Sequence, residues 1–447
     1  MNAKPPQILL VNPWIHDFAA YDFWAKPLGL LILAALLREH GMGISYIDCL
    51  DRFHPEAPLQ DPSARHGRGP YHKRRIPKPP GFYDIPRHFS RYGIEPPWLD
   101  ADLEAVPPPD LILVTSLMTY WYPGVRETIG RLRRRFPGVP VLLGGVYATL
   151  CRDHAAAHAG ADRVAAGDGA ESLFRWIEVL TGFRPQWRFD PGDLDAYPYP
   201  AFDLQRTIGY IPLLTSRGCP FACAYCASRY LEPRRRTRRP ERVVDEIRFW
   251  HDRHGVTEFV FYDDALLIHP ERHIVPILEG VIATRRPVRF HTPNAVHIRE
   301  IDGSLADLML RAGFETLRLG LETTAFDRRS ALDRKVDERQ FREAAVCLLR
   351  AGFDKDRLGA YLLAGLPGQP ISDVERAVLT VKASGITPVI AHYTPIPHTD
   401  LWPAAVAASR YDIEADPVYT NNAVFPCMPE GFAWEILTRL KNLVQEG

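Results

Sequence analysis

The chain has 447 residues, enough for two or three domains and a sizeable core. Its 54 basic and 54 acidic residues cancel, so neither nucleic acid nor an anionic membrane is an expected partner. No stretch approaches the ~18 apolar residues of a membrane span, and the N-terminus shows no signal-peptide core. Seven cysteines, three of them clustered, suit a reducing, cytoplasmic protein rather than a disulfide scaffold. In chain order, Ile8-Leu9-Leu10-Val11-Asn12-Pro13 reads as a buried strand closed by a turn. An apolar helix runs from Leu28-Gly29 to His40, and Ile44–Asp48 is a second strand. Residues 52–109 form a proline-rich insertion with aromatic, Arg and His residues. It is expected either to fold over a ligand entrance, its basic groups meeting an acidic group, or to be a packed decoration. Asp110–Thr115 is a third strand, 123–136 an Arg-rich helix, and 140–145 and 162–169 two further strand ends.

Continuous apolar strands alternating with helices predict a parallel sheet covered on both faces. Ligands in such sheets bind at the carboxyl ends of strands. Gly144-Gly145 and Gly167-Asp168-Gly169-Ala170-Glu171 stand there. Glycine admits close backbone approach to a ligand, although ordinary strand-to-helix turns use it too. Residues 184–209, with Tyr197-Pro198-Tyr199-Pro200, read as a linker. From 210 to 402 six strand–helix units follow, with Ser372 expected to cap the fifth helix. They predict a partial parallel barrel. Its strand ends carry Asp263-Asp264, His291, Glu322, Gly365-Leu366-Pro367-Gly368 and His392-Tyr393. The tail, 403–447, holds an apolar-periodic helix from Trp434 that is expected to close the open side.

Directly after the first barrel strand come Cys219, Cys223 and Cys226 at C-x3-C-x2-C spacing. Three thiolates on one loop form a soft-ligand site. An iron–sulfur cluster normally takes four cysteines, so three leave one metal corner open for a small molecule. On spacing alone, a zinc site of three Cys and one His, or three buried thiols, is the alternative. The run Arg234-Arg235-Arg236-Thr237-Arg238-Arg239 could bind phosphate or nucleic acid, but better fits a solvated face or a partner for a cofactor carboxylate.

The cysteine motif, with an aromatic before its last Cys, resembles the signature of radical S-adenosylmethionine (SAM) enzymes. The resemblance implies a 4Fe-4S cluster on Cys219, Cys223 and Cys226, with SAM on the fourth iron and Tyr225 near its adenine. It places Asp263 and Asp264 near the SAM amino group, Glu322 near its ribose or methionyl part, and Gly365 behind the adenine. His291, His392 and Tyr393 become candidates to face substrate, though a single His is often merely hydrogen-bonded. The N-terminal order Val11-Asn12-Pro13, Pro27-Leu28-Gly29-Leu30, Gly144-Gly145 and Gly167–Glu171 resembles the cobalamin-binding domain fused upstream of many such enzymes. By that resemblance Asn12, Leu28, Gly29, Thr115, Ser116, Gly144, Gly145, Gly167, Gly169 and Glu171 contact cobalamin. No D-x-H-x-x-G stretch occurs, which implies base-off cobalamin without a protein His on cobalt. The loop Leu117–Tyr122 is expected either to face its lower side or to pack on the next domain.

The expected architecture is therefore α/β. A Rossmann-like domain (1–183) precedes the linker (184–209), a (β/α)6 radical SAM core (210–402) and the tail (403–447). The resemblance implies reductive cleavage of SAM to a 5′-deoxyadenosyl radical. Methyl transfer from methylcobalamin to an unactivated carbon or phosphinate of a small molecule or peptide would follow, with a flavodoxin- or ferredoxin-type electron donor. Non-methylating cyclisation, ring contraction or oxidation is the alternative, and a non-catalytic metal- or cobalamin-binding regulator is a third.

Overall fold

The computed structural model describes residues 4–167, 169–186, 189–428 and 434–445. Two compact units divide the chain, Met1–Gly209 with Ile413–Ala423, and Tyr210–Asp412 with Val424–Gly447. Strands of the first unit are β1 (Gln7–Asn12), β2 (Ile15–Asp17), β3 (Gly43–Asp48), β4 (Lys73–Arg75), β5 (Ser90–Tyr92), β6 (Leu111–Val114), β7 (Val141–Leu143) and β8 (Arg163–Val164). Five of them form a parallel sheet in the order β3-β1-β6-β7-β8. The unbroken apolar runs demand cover on both faces, and Leu9, Val11, Leu111, Ile112 and Leu143 are buried accordingly. Helices Leu28–Glu39 and Gly169–Thr181 supply one face with Leu30, Leu37, Leu173, Phe174 and Ile177. From β1 the chain passes to β3 on one side and later to β6 on the other. Such a switch point opens a crevice at the carboxyl ends of the strands.

The insertion 52–109 is folded. It provides β4, β5 and helix Pro96–Ala105, and β2-β5-β4 make a small antiparallel sheet. Its aromatic residues give it a core, with Phe82 and Phe89 buried edge-on against Phe18. Several of its basic groups meet the protein's own acids. His72, Arg74 and Arg91 converge on Glu95, and Arg91 also reaches Glu127. The proline-rich stretch 184–209 buries Ala201 and Phe202 and pairs Asp203 with Arg38. Segment Ile413–Ala423 is held by Asn421 donating to Asp17 (2.8 Å) and by Tyr122 donating to Asp416 (3.0 Å).

The second unit has β9 (Ile211–Leu213), β10 (Ser216–Arg217), β11 (Arg236–Thr237), β12 (Glu258–Phe261), β13 (Arg289–His291), β14 (Phe314–Glu322), β15 (Leu358–Ala364) and β16 (Thr387–His392). Six are parallel neighbours in the order β16-β15-β14-β13-β12-β9, the sequential order of an open strand–helix barrel. Phe261, Phe290 and Phe314 stack inside it. Asp302 and Asp337 cap the helices that follow β13 and β14. The expected Ser372 cap does not form. That helix begins at Ile371 after Pro370, an extended entry with no side-chain cap. The tail helix Glu435–Gln445 packs Leu440 and Ile436 on Ala364, Val374 and Ile390 beside β16. Among the described residues no helix is long and apolar enough to cross a membrane.

Candidate active site

The cysteine loop leaves β10 at Arg217, and the loop backbone is pinned from two sides. Ala224 N–H donates to the Leu332 carbonyl, and Leu401 N–H donates to the Ala224 carbonyl, each at 2.8 Å. All seven cysteines are free thiols. Cys219 and Cys223 are half-buried and Cys226 is exposed. Burial raises the Cys219 thiol and pushes Cys223 up to about 12, so ligation there requires a metal to displace the proton. Among the described residues, no three ligand atoms that include a cysteine sulfur lie within 4.8 Å of one another. Four ligands around one zinc would sit closer than that, at bond lengths of about 2.0–2.3 Å. Among the described residues the three sulfurs thus do not form a ready single-ion cage.

Tyr225, between the last two cysteines, donates to Asp333 at 3.4 Å and lies under the Lys335 ammonium at 5.6 Å. Burial, with Glu322 and Cys223 nearby, keeps its phenol protonated. Lys335 donates to Glu322 at 2.9 Å, with about a tenth of each side chain exposed. Burial alone would lower the ammonium, but Glu322, Cys223 and Asp333 outweigh it and hold Lys335 above its ordinary value. Glu322 has φ +64°, the left-handed region, at a register shift between β14 and β15. Strained backbone and bulges at a strand end aim side chains at functional sites. Arg329 braces this turn. It donates to the carbonyls of Leu321 (2.6 Å) and Thr323 (3.0 Å) and pairs with buried Asp333 at 2.7 Å.

The other strand-end candidates diverge. Asp264 keeps an exposed surface, yet burial of its carboxyl and the neighbouring Asp263 and Glu232 push it up to about 6. Asp263 is 2% exposed and accepts from the Thr215 and Ser216 hydroxyls at 2.6 Å each. Its carboxylate is thus spent on β9–β10 and is not free for a SAM amino group. His291 is likewise inward. It is fully buried, 2.8 Å from Glu258 and 3.1 Å from Thr316, so its ring does not face a substrate surface. Burial opposes ionisation of Glu258, but His291 and Arg289 hold it down to about 2. Gly365 has φ +93°, and a Cβ there would stand 3.1 Å from Phe425. The side chain of Gln369 closes that turn, accepting from Gly365 N–H at 2.9 Å and donating to Leu363 O at 2.9 Å. His392 meets the Phe425 ring at 4.5 Å between centroids. Tyr393 is 3% exposed and its hydroxyl has no hydrogen-bond partner among the described residues. Such an orphaned buried hydroxyl is a place for a bound group.

In the first unit the candidates gather at the carboxyl edge of the sheet. Asn12 donates to Asp48 at 2.7 Å, and Asp48 also accepts from Tyr46 at 3.0 Å. Burial and then Asp51 push Asp48 up to about 6, and burial pushes Lys26 down to about 8. Ser116 is buried and donates to the Gly144 carbonyl at 2.7 Å, and Thr115 N–H donates to Val11 O. Gly145 has φ +96°, and a Cβ there would lie 2.2 Å from the Ser116 carbonyl. Close packing of two strand ends thus accounts for this glycine without a ligand. Gly167 precedes the helix that Gly169 opens, with Glu171 exposed in its first turn; Asp168 lies outside the described residues. Leu28 is buried and Gly29 is open, with nothing within 4 Å of a built Cβ. On the loop after β6, Leu117 and Met118 are exposed (49% and 38%) while Thr119 is held to Thr420 at 3.1 Å.

Residues 213–381 match the family model "Radical SAM superfamily". The chain carries a radical SAM domain. Over 280 residues it is 27% identical to an uncharacterized methyltransferase, sll1242, of Synechocystis, covering 59% of this chain and 51% of that protein. It is 26% identical over 243 residues to an anaerobic magnesium-protoporphyrin IX monomethyl ester cyclase of Synechocystis, 48% of each chain. The chain thus spans about half the length of these curated relatives. Its fold resembles the radical SAM methyltransferase TsrM of Kitasatospora setae, solved with cobalamin and a 4Fe-4S cluster. The TM-score is 0.64 at 16% identity, over 91% of this chain and 76% of that one.

Lys335 and Asp333 bring Cys223, Tyr225 and Glu322 into one neighbourhood, with Cys219 near Lys335 and Cys226 near the other two cysteines. Sequence reasoning missed Lys335, Arg329, Asp333 and His297. The charged run 327–335, just after a strand-end Glu, was the available signal for the first three.

Proposed function

We propose that this chain is a cobalamin-dependent radical SAM enzyme that methylates an unactivated carbon or phosphinate of a small molecule or peptide. What carries the reading is the C-x3-C-x2-C triad beside the Glu322–Lys335 pair, with Glu322 at positive φ, inside a matched radical SAM domain. When bound, the cluster with SAM supplies one-electron cleavage chemistry, and cobalamin, held base-off, supplies a methyl group. Cys219, Cys223 and Cys226 hold the cluster. Lys335 and Tyr225, fixed by Glu322 and Asp333, present a cation and an aromatic face beside it. The Glu322 turn orients polar atoms of the co-substrate, and Asp264 offers a carboxyl at the next strand end but one. The buried Tyr393 hydroxyl, without a partner among the described residues, is left for a bound group. In the first unit, Gly144, Gly167, Gly169 and Gly29 offer uncluttered backbone for a bulky cofactor, whereas Asn12 and Ser116 shape the edge from behind. The low-potential electron comes from a small external donor protein.

Likeness to a ring-forming cyclase supports a second reading, with the same cofactors and no methyl transfer. Anaerobic reconstitution with iron, sulfide and hydroxocobalamin, then SAM and reductant, tests both. Bound corrin with 5′-deoxyadenosine and S-adenosylhomocysteine supports methyl transfer. Deoxyadenosine alone supports the cyclase-like reading. No cluster in the wild type overturns both.

A further inference from the structure

One buried imidazole beside the cysteine loop has no part in the proposal above. His297 lies between β13 and helix Gly303–Ala312, and only 5% of it is exposed. Its Nε2 is 3.9 Å from Cys219 Sγ. Its Nδ1 is buried with no hydrogen-bond partner among the described residues. The ring is clamped by Phe221, which lies within the cysteine motif, at 4.6 Å between centroids and 31° between planes. Arg299 in turn covers the Phe221 ring at 4.4 Å. Phe221 and Arg299 line an open cleft with Arg235 and His269. The stack therefore runs from a solvent-facing cleft to a cysteine sulfur.

The tautomer follows from what each nitrogen faces. A neutral imidazole carries one N–H, on either Nδ1 or Nε2. A proton on Nδ1 would be a buried donor with nothing among the described residues to accept it, which is unfavourable. A proton on Nε2 points at the sulfur and leaves only a lone pair unpaired. We propose that His297 is a positioning residue for the cluster held by this loop, its Nε2–H donating to the Cys219 sulfur and making the cluster easier to reduce. Reduction adds charge that the sulfurs share, so a donor on a sulfur favours the reduced form more than the oxidised one. The inference rests on the cluster assignment proposed above.

The test is an EPR-monitored redox titration of the reconstituted protein without SAM, comparing wild type, His297→Leu and His297→Gln. At a fixed poise near the wild-type midpoint, His297→Leu is expected to lower the ratio of reduced to oxidised cluster about tenfold, a shift of ~59 mV for one electron. His297→Gln, which restores an N–H donor, is expected to recover part of it at equal iron content. Equal midpoints in all three overturn the proposal and leave the cluster intact. If His297→Leu assembles no cluster, the wild type labelled with 15N-histidine decides by electron spin echo modulation. A weak nitrogen coupling supports the hydrogen bond, while none, or one as strong as a direct ligand, overturns it. Failure of the wild type to assemble any cluster overturns the underlying assignment, and the inference with it.

Discussion

The two units place their candidate residues at the same topological station, the carboxyl ends of parallel strands, yet equip it differently. In the radical SAM domain the strand ends carry reactive side chains under tension. Glu322 sits at φ +64° against a buried lysine and two thiols are raised by burial; beyond the matched residues, Tyr393 keeps a hydroxyl without a partner among the described residues. At the edge of the first unit the polar side chains are already spent. Asn12 is tied to Asp48 and Ser116 to Gly144, and what remains open is backbone and shape. A site that ligates metal needs side-chain donors held ready. A site that admits a bulky preformed cofactor needs concave room and few fixed charges. The contrast predicts that single substitutions remove function in the second unit and mainly stability in the first.

The largest effect is expected for Cys223→Ala. Iron bound after anaerobic reconstitution and the visible cluster absorbance should both fall to background; retention of a full cluster would break the contrast at its centre. Next comes Lys335→Met, which strands the Glu322 carboxylate beside Tyr225. Removing one partner of a buried pair costs about 3–5 kcal/mol, so urea unfolding of the apo-protein should show the second unit losing most of that margin. An unchanged midpoint would mean that the pair is solvated.

In the first unit, Gly145→Ala forces a Cβ toward the Ser116 carbonyl at a positive φ. A loss of about 1–3 kcal/mol is expected, read as earlier denaturation of that unit with iron loading unchanged. The most gradual effect concerns pH. The Asp48 carboxyl titrates near 6 in the folded chain, above its ordinary 3.8. The folded state therefore binds the extra proton, and stability falls as pH rises from about 4 to 6, at most on the order of 1 kcal/mol per pH unit. Asp48→Asn should flatten that slope, and an identical pH profile in the variant would show that Asp48 is not the group responsible.

Much of this molecule was legible before its coordinates. Runs such as Ile8–Val11 and Asp110–Val114 announced parallel strands because continuous apolar sequence needs cover on both faces. The cysteine spacing carried the domain assignment because three donors within eight residues bring their own geometry with them. The insertion was the least legible segment, since proline-rich sequence with scattered aromatics does not reveal that Phe82 and Phe89 close on Phe18 from far upstream. Asp263 and His291 fell at plausible strand ends, but rotation about a strand decides whether a side chain faces the mouth or the wall, and both turned inward.

By itself, then, the sequence determined the element order, the two parallel sheets and the cysteine loop, because periodicity and ligand spacing are local properties of the chain. Tertiary structure alone decided which polar strand-end residues were left over for chemistry. It supplied Lys335 to Glu322, Arg329 and Asp333 to the turn beside them, and His297 to Cys219, partners up to 78 positions apart. Burial and charge pairing depend on what packs against a residue, and that is written only in the folded chain.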